Sequence, residues 1–200
     1  MQVVCLHTHP DNIRVFEDAC PPDLKLVHHV RSDFLRRINA GGDDGLKAEL
    51  NQQMTRLGRN AEAVLVTCSA LRTIIPQNCF SADAILALQL EQLDTDTHLE
   101  IFYTNPGSEG PTTELFSQLK EKAQSKITLI EGAWGRFLAG ERNEYLMQIA
   151  DAATKSSADV VAFAQSSMAP AVPLCNREIW NVPSVALPWL ANHLHIKASE

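Results

Sequence analysis

Cys68 is the residue best placed to do chemistry, because the sequence around it occurs twice and only one copy has a thiol there. The segment 61–76, AEAVLVTCSALRTIIP, lies over 158–173, ADVVAFAQSSMAPAVP, at a spacing of 97 residues. The shared residues are Ala61/Ala158, Val64/Val161, Ser69/Ser166 and Pro76/Pro173. Cys68 therefore matches Gln165. The same spacing lays the apolar run 2–8 within 98–105 and matches Thr8 with Asn105.

A cysteine at this position could move a proton. Cys68 follows a short β-branched run, and in open α/β sheets ligands bind beyond the carboxyl ends of the strands. A helical turn after Ser69 would direct backbone N–H groups toward the thiol and lower its pKa by favouring the thiolate. We therefore expect a base that works near neutral pH. The alternative is that Cys68 is a small buried apolar residue, as most free cysteines are.

Polar residues follow the same strand ends. Hydroxyl and N–H groups of Ser69, Ser166 and Ser167 could hold a carboxylate, and preorganised donors stabilise negative charge that develops when a proton leaves the neighbouring carbon. Ordinary turn and cap serines are the alternative interpretation. Further candidates for gripping a substrate are Thr8, Asn12, Thr104, Asn105 and Gln165.

Three other groups of residues could carry chemistry. His7, His9, His28 and His29 suggest a metal site, but they lack HxxxH or Cys/His spacing, so no metal is expected. Arg72 could pair with a second substrate carboxylate, although a surface position is favoured. Cys68 could act as a redox thiol with Cys79 as partner, a weaker hypothesis because nothing in the spacing brings them together.

Alternating strands and helices must position these residues. The patterns predict strands near 2–6, 24–29, 63–67, 99–104, 127–132, 159–164 and 183–187, and helices near 11–20, 32–40, 46–57, 81–93, 112–123, 141–153 and 189–195. This alternation is typical of parallel sheets with right-handed crossovers, hence of an α/β fold. With the repeat, it predicts two lobes, residues 1–82 plus 188–200 and residues 83–187.

Composition excludes several classes of protein. Seventeen basic against 24 acidic residues give a net charge of −7, which disfavours binding to nucleic acid or anionic membranes. No window approaches the ~18 uninterrupted apolar residues of a membrane helix, and the first residues lack a signal-peptide pattern, so a cytoplasmic protein is expected. The five cysteines form no CxxC pair, which favours reduced thiols.

The residues resemble the aspartate/glutamate racemase superfamily, which includes hydantoin racemase, maleate cis-trans isomerase and arylmalonate decarboxylase. The resemblance rests on CLHTHPDN, VLVTCSAL, EGAWGRFLAGERNEYL and ADVVAFAQSSMAP, and covers essentially the whole chain. It implies two pseudo-symmetric α/β lobes with the site in the cleft between them, no metal or pyridoxal cofactor, and a small carboxylate as partner. The family's folds often pair, so a homo-oligomer is possible.

The chain departs from the family pattern at one position. In the racemases a cysteine from each lobe stands on either face of the substrate carbon; Cys68 matches the first, whereas Gln165 occupies the place of the second and has no proton to exchange. The resemblance thus implies a racemase or epimerase, while the missing thiol favours a single-thiol decarboxylase, lyase or isomerase. A non-catalytic small-molecule binding protein is the other hypothesis. The substrate is left open among amino acids, dicarboxylates and rings such as hydantoins.

Overall fold

Two four-stranded parallel sheets form from the short apolar runs of the sequence. The computed structural model describes residues 1–121 and 124–199. The chain divides into a first unit, Met1–Ile85 with Pro183–Glu200, and a second unit, Leu86–Val182. Each unit contains one sheet with helices around it, and the fold class is therefore α/β, as the alternation of elements predicts.

The first unit has the strand order β2-β1-β3-β4. Its strands are β1 (Gln2–His7), β2 (Lys25–Val30), β3 (Ala63–Val66) and β4 (Phe80–Ser81), and its helices are α1 (Asn12–Glu17), α2 (Ser32–Asn39) and α3 (Asp44–Leu57). A 3₁₀ helix, Ser69–Ile74, follows β3 directly. Strand residues such as Leu6 and Val66 pack with Leu50 and Met54 of α3, which recur at helical spacing.

The second unit repeats this order as β6-β5-β7-β8. Helix α4 (Ala82–Leu90) leads into it; its strands are β5 (His98–Tyr103), β6 (Gln124–Leu129), β7 (Val160–Phe163) and β8 (Trp180–Asn181), and its helices are α5 (Glu109–Phe116), α6 (Ala133–Ala139) and α7 (Arg142–Lys155). A 3₁₀ helix, Ser166–Leu174, follows β7. Helix α8 (Val182–Ala198) returns the chain to the first unit.

The sheet registers correct one detail of the repeat. Val3 pairs with Ala63, and Leu99 pairs with Val160, so β3 and β7 are 97 positions apart whereas β1 and β5 are 96 apart. Thr8 is therefore equivalent to Thr104, and its match with Asn105 is wrong by one residue. Cys68 and Gln165 keep their equivalence.

Matching hydrogen bonds support this register. Glu62 accepts the backbone N–H of Gln2 at 2.6 Å, and Asp159 accepts that of His98 at 3.0 Å. The two acidic residues are 97 positions apart and the two amides 96. The duplicated halves thus use a carboxylate at equivalent positions to hold the start of equivalent strands.

Two further predictions need correction. Residues 183–187 do not form a strand: they begin α8, where Pro183 occupies the first turn and the strand is confined to Trp180–Asn181. The helix expected at 112–123 is α5 followed by a 3₁₀ helix, Ser117–Glu121, and its last two residues lie outside the described residues. Helix α6 was not predicted. Within the described part of the chain, no helix is long and apolar enough to cross a membrane.

Candidate active site

Cys68 lies at the carboxyl end of β3, in extended conformation, directly before the 3₁₀ helix Ser69–Ile74. It is half-buried and packs against the core of the first unit. The hydrogen-bond donors beside its thiol are the hydroxyl of Thr8, from the end of β1, and the backbone N–H groups of Ala70 and Leu71, of which the Leu71 N–H also donates to Cys68 O at 3.0 Å. The sequence reasoning had anticipated the two backbone donors but not the hydroxyl.

Burial decides the protonation state of Cys68. It raises the pKa of the thiol, and the negative charge of Asp83 raises it further, whereas Thr8, Ala70 and Leu71 act in the opposite direction. The net pKa lies above the ordinary value, so the expectation of a lowered pKa is wrong. At neutral pH Cys68 is a thiol that can give a proton rather than a thiolate that can take one.

Asp83 is a buried carboxylate that sequence reasoning missed. Ser81 donates its hydroxyl to Asp83 Oδ1, the backbone N–H of Ala84 donates to the same oxygen at 3.0 Å, and Arg72 Nε lies 3.9 Å from Oδ2. Burial raises the pKa of Asp83, while Ser81 and then Arg72 oppose the rise. Arg72 is therefore not a surface residue: its side chain is 16% exposed and faces this carboxylate. In the sequence, the one signal that could have identified Asp83 as a candidate site residue is its position in the first turn of the predicted helix that becomes α4.

Asn12 and Ser69 stand at the same end of the first sheet. Asn12 begins α1 and is buried, but its carboxamide makes no hydrogen bond to any residue that the structure describes. Ser69 opens the 3₁₀ helix after Cys68 and is half-buried. Both residues offer polar groups close in sequence to Thr8 or Cys68.

Gln165 takes the place of Cys68 in the second unit and ties two strand ends together. Its Oε1 accepts hydrogen bonds from Thr104 N at 2.8 Å, Thr104 Oγ1 at 2.8 Å and Asn105 N at 3.1 Å. Because two of the donors are backbone amides, the carboxamide orientation is fixed with the oxygen toward them. Its Nε2 then points away and makes no hydrogen bond within residues 1–121 and 124–199.

The Thr104 hydroxyl thus does for Gln165 what the Thr8 hydroxyl does for Cys68. Thr8 donates to the sulfur and Thr104 donates to Oε1, at equivalent positions of the two sheets. Cys68 and Gln165 carry different functional groups, but a threonine hydroxyl orients both.

Tyr145 is a second residue that the sequence analysis missed. It is fully buried in α7, and its Oη lies 3.1 Å from Thr104 Oγ1 and 3.0 Å from Ser167 Oγ. Since Thr104 gives its only hydroxyl hydrogen to Gln165, Tyr145 must donate to Thr104, and Ser167 must donate to Tyr145. Burial raises the pKa of Tyr145, which keeps this hydroxyl protonated.

This chain of donors changes the role available to Ser167. Its hydrogen is engaged with Tyr145, so Ser167 presents lone pairs rather than a donor to any ligand. Ser166 is buried at the start of the 3₁₀ helix that follows Gln165. Asn105 is also buried, and its Oδ1 accepts the N–H of Gly107 at 2.9 Å, which leaves its Nδ2 as the available donor.

The histidines named in the sequence analysis separate in the structure. His7 and His28 come together with Cys5, and the donor atoms of these three residues all lie within 4.8 Å of one another. His9 stands apart, with Nδ1 3.9 Å from Asp11 Oδ1. Burial, and next the charge of His28, lowers the pKa of His7 to about 3, so His7 is neutral.

Solved structures with the same fold come from several racemases and a decarboxylase. The aspartate racemase of Picrophilus torridus has a TM-score of 0.73 at 9% identity, covering 96% of this chain and 93% of that one. The allantoin racemase of Pseudomonas fluorescens gives 0.63 at 9% identity, covering 99% and 92%. A cysteine-substituted mutant of arylmalonate decarboxylase, in a sulfate-associated form, gives 0.57 at 12% identity, covering 97% and 93%.

No family model and no curated protein matches the sequence itself. The α/β fold that the resemblance implied is confirmed, because these racemases and the decarboxylase share it.

Proposed function

We propose that the protein is a cofactor-independent enzyme that transfers a proton at a carbon next to a carboxyl or carbonyl group of a small carboxylate or amino-acid-like substrate. This is chemistry of the aspartate/glutamate racemase kind. The observation that carries the proposal is the surroundings of Cys68: a half-buried cysteine at a strand end, with a hydroxyl and two backbone N–H groups beside its thiol. Such donors stabilise a thiolate that forms during a reaction.

The raised pKa of the Cys68 thiol favours a reaction in which Cys68 first donates a proton. Only about 3% of an ordinary cysteine is thiolate at pH 7, and a raised pKa lowers that fraction further. When a substrate bond to carbon breaks and leaves its electron pair as an enolate, the Cys68 S–H bond can give its proton to that carbon. The sulfur becomes a thiolate held by Thr8, Ala70 and Leu71, and solvent returns the proton.

The second unit favours a reaction with one protonation. Gln165 has no proton to exchange, and its oxygen is already engaged by three donors. Decarboxylation, elimination or isomerisation needs a proton on one face only, whereas racemisation or epimerisation needs an acid and a base on opposite faces. We therefore favour the one-faced reactions and keep racemisation as the variant that requires a further acid.

Several polar groups would hold the substrate. The carboxamide of Asn12, the hydroxyl of Ser69 and the amide hydrogens of Gln165 and Asn105 suit carboxylate or carbonyl oxygens. Ser166 joins this set through its position beside Gln165, and Ser167 contributes lone pairs that suit an N–H or ammonium group. Thr8 would act through the sulfur rather than by touching the substrate.

Turnover in deuterium oxide tests the proposal. A panel of amino acids, substituted malonates, dicarboxylates and hydantoins is incubated with the protein, and proton NMR follows label entering at carbon. We expect a chemically changed product that carries deuterium on one face of the reacting carbon. Cys68→Ser should lower the turnover rate by a factor of roughly 10² to 10⁴. Cys79→Ser, a thiol of the same unit outside the strand end, is the control and should leave the rate unchanged.

Two outcomes count against the proposal. A Cys68→Ser variant that works within a few-fold of the wild type removes Cys68 from the chemistry. Recovered substrate that carries deuterium and has the inverted configuration would show that the reaction is racemisation rather than a one-faced reaction.

A ligand-binding protein without catalysis is the second candidate, since a thiol with a raised pKa is unreactive. It predicts saturable binding of a panel member with no exchange at any pH.

A further inference from the structure

A buried cluster of Cys5, His7 and His28 lies on one face of the first sheet. Cys5 and His7 are two residues apart on β1 and therefore share a face, and His28 on β2 pairs directly with Cys5. Their donor atoms lie within 4.8 Å of one another, and Cys5 and His7 are fully buried. One thiol and two imidazoles form a ligand set that suits zinc and its neighbours among the transition metals.

Outer partners orient both rings. Glu17 Oε1 lies 2.7 Å from His28 Nε2, and Thr67 Oγ1 lies 2.8 Å from His7 Nδ1. Metal-binding histidines in proteins usually donate their second ring N–H to such a carboxylate or oxygen. Both histidines of the cluster therefore have the support that a ligand needs.

Counting hydrogens shows what faces the centre of the cluster. The Thr67 hydroxyl lies 3.1 Å from Leu6 O and 2.8 Å from His7 Nδ1, and it can give its one hydrogen to either of them. With His28 Nε2–H directed at Glu17, His7 Nε2 and His28 Nδ1 face each other at 2.8 Å, and a hydrogen on His7 Nε2 joins them when no cation is bound. A metal ion between the two nitrogens would take the place of that hydrogen, which would move to His7 Nδ1 and be donated to Thr67, while the Thr67 hydroxyl would donate to Leu6 O.

The second sheet demonstrates that the fold does not need these polar groups. The positions equivalent to Cys5, His7 and His28 are Ile101, Tyr103 and Ile127, and Thr67 is matched by Ala164. Buried polar groups cost free energy unless they are satisfied. The second half has the same sheet order but apolar or aromatic side chains at these positions. The fold alone therefore does not explain the polar cluster of the first sheet.

We propose that Cys5, His7 and His28 form a binding site for a divalent transition metal of the zinc type. The metal takes His7 Nε2, His28 Nδ1 and Cys5 Sγ as ligands, and water completes the coordination. Binding breaks the S–H bond of Cys5, forms a metal–sulfur bond and releases the proton to solvent. The two rings separate by a few tenths of an ångström, since ligand nitrogens around zinc stand farther apart than hydrogen-bonded ones.

The test uses the full chain, stripped with a chelator and titrated with Zn²⁺ and with Co²⁺. We expect one equivalent of Zn²⁺, a raised Tm in its presence, and a sulfur-to-cobalt charge-transfer band with Co²⁺. Cys5→Ala should abolish the band and lower the affinity at least 100-fold. Glu17→Gln should lower it roughly 10-fold, as outer partners do.

Matched variants separate loss of the site from loss of the fold. His28→Ile introduces the residue of the second sheet and should remove binding while circular dichroism stays native. Cys20→Ser changes a nearby thiol and should leave both band and affinity unchanged. The proposal is overturned if wild type binds Zn²⁺ more weakly than ~0.1 mM, if cobalt gives no sulfur band, or if Cys5→Ala binds as well as wild type. The contact between the two rings would then be an ordinary N–H···N hydrogen bond.

Discussion

Removing the Thr8 hydroxyl should make the Cys68 thiol harder to ionise. Thr8→Val keeps the shape of the side chain and deletes one of the three donors to the sulfur, the other two being the N–H groups of Ala70 and Leu71. A hydrogen bond to a charged group contributes about 1.5 to 3 kcal/mol, but sulfur is a weak acceptor and Cys68 is only half-buried. We therefore expect about 1 kcal/mol, which raises the pKa by roughly 0.7 units.

The pH dependence of alkylation measures this shift. Rates of reaction with iodoacetamide are followed by mass spectrometry of the Cys68 peptide, which separates it from the other four thiols. Thr8→Ser should restore the wild-type midpoint because it restores the hydroxyl. Thr104→Val removes the equivalent hydroxyl of the second unit and should leave Cys68 unchanged. A Thr8→Val midpoint within ~0.2 units of wild type, or below it, would refute the reasoning.

Two further predictions concern Asp83, which influences Cys68, and Gln165. Asp83→Asn should lower the pKa of Cys68, because the negative charge of Asp83 opposes formation of the thiolate. The alkylation profile of Cys68 should therefore move to lower pH. A profile that does not move would show that Asp83 does not influence the pKa of Cys68. Gln165→Leu should lower the free energy of unfolding by about 2 to 4 kcal/mol, because it leaves the amides of Thr104 and Asn105 without an acceptor. Urea denaturation checks this, with Gln52→Leu on the exposed face of α3 as the control, and a loss equal to that control would contradict it.

The sequence was sufficient for the six longer strands and for the match of Cys68 with Gln165, but not for the two-residue strands β4 and β8. Short β-branched runs buried on both faces mark parallel strands clearly. They do not fix register, because such runs lack the polar alternation that distinguishes one face from the other. That is why Thr8 was matched with Asn105 when the backbone pairing requires Thr104.

Errors about the site have a common physical origin. The pKa of Cys68 depends on how completely the fold removes it from water, and a one-dimensional pattern does not contain that quantity. Tyr145 and Asp83 likewise look like ordinary helix residues until burial brings their polar atoms against Thr104 and Ser81. The Cys5-x-His7 spacing was visible, but the third member, His28, required the pairing of β1 with β2.

Comparison of the two sheets separates what the fold requires from what chemistry requires. Both units keep a threonine after the first strand and use its hydroxyl to orient the side chain two residues beyond the third strand, so this contact belongs to the shared framework. The framework holds a thiol in one unit and an amide in the other. Proton transfer therefore depends on the side chain placed in that framework, and the absence of a proton on Gln165 is a property of one residue rather than a failure of the second unit to form a site.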